Sequence, residues 1–325
     1  MSDEPGRRQR AALVYNPIKV DRKRLRARVE KASKAAGWRR PLFYETTPED
    51  LGQDATGRAL REGIDALLVA GGDGTVRAVA EALIESRVPL TIIPSGTGNI
   101  LARNLGLPLS DQERIIRATF DGRVEPIDIG MAHLTRADGS TEEHGFVVMA
   151  GIGLDAAMIA NTSAQLKKTM GWIAYVEGAA RALNGAEPFR IMYERGGGRL
   201  HTTKAHSMLF ANCGRLPAGI SLVPDASVTD GMLDVALIQP AGWFGWLGVW
   251  RKIWWDNSVL RRTRSGRRLI ERRHDASVRY MQVTEVDAGV DEPHAVQLDG
   301  DEFGEAVRIH CQILPGALLV ALPTR

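Results

Sequence analysis

With 325 residues, 44% hydrophobic and 25% charged side chains, the chain has the make-up of a globular protein rather than a disordered one, and its length predicts two domains. A net charge of +3 is too small to argue for a nucleic-acid partner from the total. Two cysteines, Cys213 and Cys311, without Cys-x-x-Cys spacing, exclude a disulfide framework and a cysteine-built metal site.

The first ten residues are polar, and the apolar run that follows, Ala11 to Tyr15, is far shorter than a signal-peptide core. No stretch approaches the roughly 18 apolar residues of a membrane-spanning helix, so a cytoplasmic chain is expected. Ala11 to Tyr15, Pro41 to Glu45, Ala66 to Ala70 and Leu90 to Ile93 read as strands. Between them fall helix candidates such as Leu25 to Ala36 and Val76 to Glu85, the latter with Val76, Val79, Ala80, Leu83 and Ile84 on one face. This alternation predicts an α/β domain, a parallel sheet flanked by helices.

From about Val124 the pattern changes to short β-like runs with Asp-Gly and Gly-Gly turns: Gly145 to Ala150, His206 to Ala211, Leu233 to Ile238, Val278 to Val283 and Ala306 to Ile313. Their close spacing predicts a mainly antiparallel β-sandwich. The domains are placed at 1–124 and 125–316, with 317–325, which carries the run Ala317 to Leu322, closing the second or returning to the first. Two helical insertions, Gln165 to Leu183 and Trp243 to Asp256, interrupt the second domain.

The third strand runs straight into Gly71-Gly72-Asp73-Gly74-Thr75 and then a helix; the fourth runs into Pro94-Ser95-Gly96-Thr97-Gly98-Asn99 and another. Glycines at a strand-to-helix turn permit close backbone approach, and the helix start offers unpaired N–H groups at a positive dipole end, which suits an anion. One glycine pair reads equally well as a tight turn. Two such loops at the carboxyl ends of neighbouring parallel strands would face one crevice, where open α/β sheets bind ligands. Neither is a Gly-Lys-Ser/Thr phosphate loop or a Gly-x-Gly-x-x-Gly fingerprint, so phosphates would be held by main-chain amides and by the hydroxyls of Thr75, Ser95 and Thr97. A bare carboxylate repels phosphate, so Asp73 should act through a metal ion or water, or brace its own loop.

A longer series of motifs spans nearly the whole chain in order. It comprises Asn16-Pro17, Thr46-Thr47, Gly71 to Thr75, Pro94 to Asn99 with Ala102-Arg103, Gly151 to Ala156, and Leu298-Asp299-Gly300. In this series the sequence resembles the catalytic domain shared by diacylglycerol kinases, sphingosine kinases and the bacterial lipid kinases. The Gly-Gly-Asp-Gly-Thr element alone is shared with NAD kinases and resembles a phosphofructokinase loop. The resemblance implies an ATP site formed by Asn16, Thr46 or Thr47, Gly71 to Thr75 and Gly96 to Asn99, with the lipid head between the domains. It also implies a general base in an Asp-Gly-Glu triplet, which reads Asp299-Gly300-Asp301 here, followed by Glu302. Asp301 is the expected base, Asp299 its alternative or its orienter, and Asp73 a third acidic member of the catalytic set. Asp299-Gly300 also reads as a hairpin turn, and a turn can present a carboxylate. The segment around Asp230-Gly231 implies a structural Mg2+ held by Asp230, the main chain of Met232, and Ser227. Magnesium also accompanies ATP in phosphoryl transfer.

Trp243, Trp246, Trp250 and Trp254 lie close to one helical face, followed by the arginines from Arg261 to Arg273. Tryptophan favours the bilayer interface and arginine favours anionic headgroups, so this segment is expected to dock on the inner face of the membrane. An aromatic stripe of this kind equally suits a core or homodimer-interface helix. The basic block lacks a nucleic-acid recognition module, so no nucleic-acid partner is expected. These readings converge on an ATP-dependent kinase of diacylglycerol or a related lipid alcohol. An NAD kinase-like small-molecule kinase and a catalytically inactive nucleotide- or lipid-binding module are the alternatives.

Overall fold

The computed structural model describes residues 8–153, 187–215, 223, 226–239 and 278–324. The predicted insertions at 165–183 and 243–256, with Trp243, Trp246, Trp250 and Trp254, lie outside the described residues. So do the arginines from Arg261 to Arg273, and Leu154, Asp155 and Ala156. Two units divide the chain, one of residues 1–128 with 316–325, the other of 129–315.

The first unit is built on four parallel strands, β1 (Ala11–Tyr15), β2 (Leu42–Glu45), β3 (Ala66–Gly71) and β4 (Leu90–Pro94), in the order β2-β1-β3-β4. Every residue of β1, β3 and β4 is buried, because helices cover both faces of such a sheet; this is why the strands read as unbroken apolar runs. Helix α1 (Arg22–Ala35) packs beside α5 (Gln112–Asp121), while α2 (Gln53–Arg61) packs beside α3 (Asp73–Leu83). Leu25, Val29 and Ser33 form the buried stripe of α1, and Asp21 caps it by accepting from the Arg24 amide at 3.1 Å. The chain steps outward from β1 to β2 and then returns past β1 to β3. That reversal is the switch point beyond which doubly wound sheets open a crevice.

Helix α3 starts at Asp73, three residues ahead of the predicted Val76, because Gly72 takes the N-cap position. Asp73, Gly74 and Thr75 therefore form the first helical turn instead of a preceding loop. A short helix, α4 (Ile100–Asn104), follows β4. The run Ala317 to Leu322 belongs to the end of β14 (Asp301–Leu322), where Val320 pairs in parallel with Leu90 of β4 and the Gly316 amide donates to Asp128 at 2.8 Å.

The second unit is antiparallel. Its strands are the part of β5 (Arg123–Thr135) from Ile129 on, β6 (Thr141–Phe146), β7 (Met149–Ile152), β8 (Phe189–Arg195), β9 (His201–Ala205), β10 (Ser207–Ala211), β11 (Leu233–Ile238), β12 (Val278–Val283), β13 (Glu285–Leu298) and most of β14. β13 serves two neighbours on the same side: Val286 to Val290 pair with β8, and Val296 to Leu298 pair with β7, with register shifts between. A strand that changes partner at an irregularity is how one chain segment joins the two layers of a sandwich. Phe146, Phe210, Val286, Val296 and Ile309 are buried in the core between the layers. The fold is thus a helix-flanked parallel sheet plus an antiparallel β-sandwich, as the periodicity predicts.

The run Gly145 to Ala150 is not one strand. It ends β6 and begins β7, with a break at Val147-Val148, whose amides turn to the Asp299 carboxylate at 2.8 Å each.

In the first unit, Thr119 of α5 donates its hydroxyl to Thr91 of β4 at 2.9 Å, in a pair that is fully buried. Thr119→Val keeps the shape and removes the bond, which should lower stability by about 1–2 kcal/mol in urea unfolding with an unchanged m-value. A change of no more than a few tenths of a kcal/mol would show that the pair does not hold α5 to the sheet.

Candidate functional site

The carboxyl ends of β1, β2, β3 and β4 carry Asn16, Thr46, Gly71 and Pro94, so the parallel sheet alone gathers the predicted nucleotide residues to one edge. The Asn16 amide donates to Ala70 O at 2.9 Å and the Thr46 amide to Tyr15 O at 3.0 Å, continuing the ladders past the strand ends. The side-chain oxygen of Asn16 accepts from the Ile18 amide at 3.0 Å, closing a turn and fixing the carboxamide plane. Thr46 is buried, while the Thr47 hydroxyl accepts from the Asp50 amide and serves the turn into α2.

The two glycine loops are locked together. Asp73 accepts from the Asn99 amide at 3.0 Å through one carboxylate oxygen and from the Ile100 amide at 2.7 Å through the other. The Ser95 amide donates to Gly71 O at 3.3 Å. This contact explains the glycines: a Cβ at Gly96 would lie 2.8 Å from the Gly72 Cα, and one at Gly98 would lie 2.5 Å from the Asp73 carboxylate. A Cβ at Gly72 would meet open space. Gly72 caps α3 without a side chain of its own, so the first turn of the helix has no side-chain cap on its amides. Asp73 therefore braces the neighbouring loop more than its own.

Asn99 sits in the left-handed region at φ 49°, which asparagine tolerates, and its carboxamide both accepts from the Gly96 amide at 2.9 Å and donates to Gly96 O at 2.8 Å. Arg103 Nε closes the loop by donating to Gly98 O at 2.8 Å. The second loop was expected to offer its amides from Gly96 to Asn99 to phosphate. Gly96 and Asn99 spend theirs on internal bonds, as Ser95 does. The amides of Gly72, Gly74, Thr75, Thr97 and Gly98 take part in none of these bonds. The Ser95 hydroxyl donates to Ile93 O at 3.0 Å, which leaves its oxygen to accept.

The acidic candidates of the second unit lie on the β13–β14 hairpin. Asp299 and Gly300 both have positive φ, 53° and 91°, the two-residue turn that Asp-Gly favours, and Leu298 pairs with Asp301 across it. The Asp299 carboxylate accepts from the Val147, Val148 and Met149 amides at 2.8, 2.8 and 2.9 Å. With three main-chain donors on it, Asp299 is an anchor of the hairpin. Asp301, partly buried, opens β14 beside it. Sequence reasoning missed the partners of both Asp73 and Asp299, since all five are main-chain amides and leave no residue-type signature.

At the expected magnesium site, Asp230 accepts from the Met232 amide at 3.0 Å and the Ser227 hydroxyl lies 3.3 Å from that of Thr229. This supplies oxygen ligands of the type Mg2+ takes, but a single carboxylate, half of it committed to a turn. Among the described residues no group of three or more His, Cys, Asp or Glu could hold a metal ion. These residues do not amount to a built cation site. Among them also, no helix is long and apolar enough to cross a membrane.

Comparison with known proteins gives a consistent result. Residues 10–132 match the diacylglycerol kinase catalytic domain, and residues 146–322 match the YegS C-terminal NAD kinase beta sandwich-like domain. The chain is 32% identical to a Pseudomonas aeruginosa protein named "Probable lipid kinase YegS-like", over 97% of this chain and 95% of that one. It is 28% identical to a Bacillus subtilis diacylglycerol kinase over 91% of each. In fold it is similar to a crystal structure of a diacylglycerol kinase from Bacillus anthracis, with a TM-score of 0.71 at 22% identity, covering 97% of each chain.

Burial pushes the Asp73 carboxyl above the usual aspartate range, although the Ile100 and Asn99 amides pull it the other way. The folded protein thus holds the proton more tightly than the unfolded chain does, so this group's contribution to stability falls as pH rises from the unfolded value through the raised one. The stability difference between wild type and Asp73→Asn should decline across that acidic window and level off above it in urea unfolding. A difference that does not vary with pH would contradict this reading of the bridge.

Proposed function

Since the chain belongs to the family that joins a diacylglycerol kinase catalytic domain to a YegS C-terminal domain, and is a lipid kinase by that kinship, we propose that it transfers the γ-phosphoryl group of ATP to the hydroxyl of diacylglycerol or a related lipid alcohol. The observation that carries the proposal is the pair of locked glycine loops, with the bare N-cap at Gly72 and the uncommitted amides around it. Backbone donors fixed before the ligand arrives stabilise charge on a triphosphate without reorganising, which is the main demand of phosphoryl transfer.

In this reading the amides of Gly72, Gly74, Thr75, Thr97 and Gly98 hold the phosphates, and Asn16, Thr46 and Thr47 line the rest of the nucleotide site. ATP arrives as its magnesium complex, which neutralises phosphate charge. The lipid hydroxyl oxygen attacks the γ-phosphorus, the bond to the β,γ-bridging oxygen breaks, and ADP leaves. Asp301 takes the hydroxyl proton as the new P–O bond forms. Asp299 is a positioning residue, fixing the hairpin through the three amides it holds. Diacylglycerol resides in the bilayer, so the enzyme works at the cytoplasmic face of the membrane. The NAD kinase-like character of the second domain favours one other reading, a small-molecule kinase acting on NAD.

γ-Labelled ATP incubated with micellar diacylglycerol, sphingoid bases and NAD, followed by thin-layer separation, tests the reading; label on diacylglycerol is expected. Label on NAD alone would replace it, and ATP binding without transfer to any acceptor would make the chain an inactive module. Asp301→Ala should lower turnover by roughly 10² to 10⁴ while ATP affinity stays within about twofold. A variant that kept most of its turnover would remove Asp301 from the role of base.

A further inference from the structure

We propose that Asn212 is a positioning residue of the phosphoryl-transfer site, holding the hairpin that carries Asp301 through the main chain of Val147 and Val148; this rests on the reading above that Asp301 takes the lipid hydroxyl proton. The amides of Val147, Val148 and Met149 go to the Asp299 carboxylate. Their carbonyls are committed as fully. Asn212 Nδ2 donates to Val147 O at 3.1 Å, and the Cys213 thiol donates to the same oxygen at 3.3 Å. The Asn212 and Cys213 amides both donate to Val148 O, at 2.9 and 3.0 Å, and the Asp299 amide donates to Met149 O at 2.8 Å. Every main-chain donor and acceptor from Val147 to Met149 is thereby taken. Val147 and Val148 form a clip between Asp299 on their amide side and the end of β10 on their carbonyl side.

Burial makes the clip stiff. Val147, Val148, Asn212 and Cys213 are each 2% exposed or less, so water cannot replace a lost partner. The sheet passes any shift onward, because Ala150 of β7 pairs with Phe210 of β10 on one side and with Leu298 of β13 on the other. Leu298 is the last residue before the Asp299-Gly300 turn. Of the two donors on Val147 O, a thiol is a weak one, so the carboxamide of Asn212 is the principal hold. It also supplies a donor without a charge, which a buried position demands; a carboxylate of the same shape would set oxygen against oxygen. Loss of this bond would loosen Val147 and with it the grip of Asp299 on its turn. Asp301 opens β14 from that turn, and misplacement of a reacting group by about 1 Å costs on the order of 10²-fold in rate.

The test combines turnover of a water-dispersed, short-chain diacylglycerol with amide exchange, both on the full chain. Asn212→Ala should lower kcat at least about tenfold while KM for ATP stays within about twofold. Thr119→Val, which removes a buried bond in the first unit, should leave kcat unchanged; an equal fall in both variants would make the effect one of general stability and overturn the assignment, as would wild-type kcat in Asn212→Ala. In Asn212→Asp the ratio of variant to wild-type kcat should rise as pH falls, because a protonated carboxyl donates to Val147 O again and an ionised one repels it. Taking the ratio cancels the titration of Asp301 common to both enzymes, and a ratio that does not vary with pH would remove the Nδ2 bond from the account. In ¹⁵N-labelled protein, Asn212→Ala should speed exchange of the Val147 and Val148 amides at least about tenfold and move the Asp301 signal; unaltered protection would sink the clip. Should Asn212→Ala fail to fold, Asn212→Ser, which keeps a donor on a shorter side chain, is read against the same outcomes. Faster exchange and a moved Asp301 signal in a chain that phosphorylates no lipid would leave Asn212 as the support of the hairpin and refute the proposed function alone.

Discussion

The nucleotide end of this molecule depends on a single carboxylate reaching across a gap that only glycine permits. Asp73, in the first turn of α3, receives the main-chain amides of Asn99 and Ile100 from the loop after the adjacent strand. Beside the bond from the Ser95 amide to Gly71 O near the strand ends, this bridge is what ties the outer parts of the two loops together. With it they become one backbone surface, and the amides left uncommitted around Gly72 keep fixed directions. An acidic residue at the heart of a phosphate-binding proposal is electrostatically awkward. The awkwardness is resolved by direction: both carboxylate oxygens point at protein donors, and hydrogen bonds to main-chain amides disperse their charge.

The second unit uses the same device. Asp299, in the Asp-Gly turn of the β13–β14 hairpin, gathers the amides of Val147, Val148 and Met149 and in doing so splits what would be a continuous strand. In each unit an aspartate next to a glycine ties its own turn to a distant segment of main chain. Asp73 and Asp299, two of the three aspartates singled out in the sequence, are thus structural ties, and in the reading proposed above the phosphates fall to the amides beside Asp73 and the hydroxyl proton to Asp301, two residues beyond Asp299.

Much of this was legible before the structure. Buried strands in a parallel sheet have to be apolar along their length, so β1, β3 and β4 stand out, and Gly-Gly-Asp-Gly-Thr and Ser-Gly-Thr-Gly-Asn announce close backbone approach. The direction of each donor was not legible. Nothing in the letters of Gly96 and Asn99 says that their amides serve the loop itself, because any residue but proline carries the same N–H. The early start of α3 was hidden for a related reason: a glycine at an N-cap leaves no capping side chain to recognise. Likewise β13 is not among the runs read as strands from the sequence, and its change of partner is written in register and not in composition.

The most direct test of the account is a two-dimensional amide spectrum of ¹⁵N-labelled protein titrated with a non-hydrolysable ATP analogue and magnesium. The account predicts saturable shifts concentrated at Gly72, Gly74, Thr75, Thr97 and Gly98, with the amides of Gly96, Asn99 and Ile100 remaining protected from solvent exchange throughout. Saturable binding that left those five signals in place, or that released the Asn99 and Ile100 amides to solvent, would contradict it.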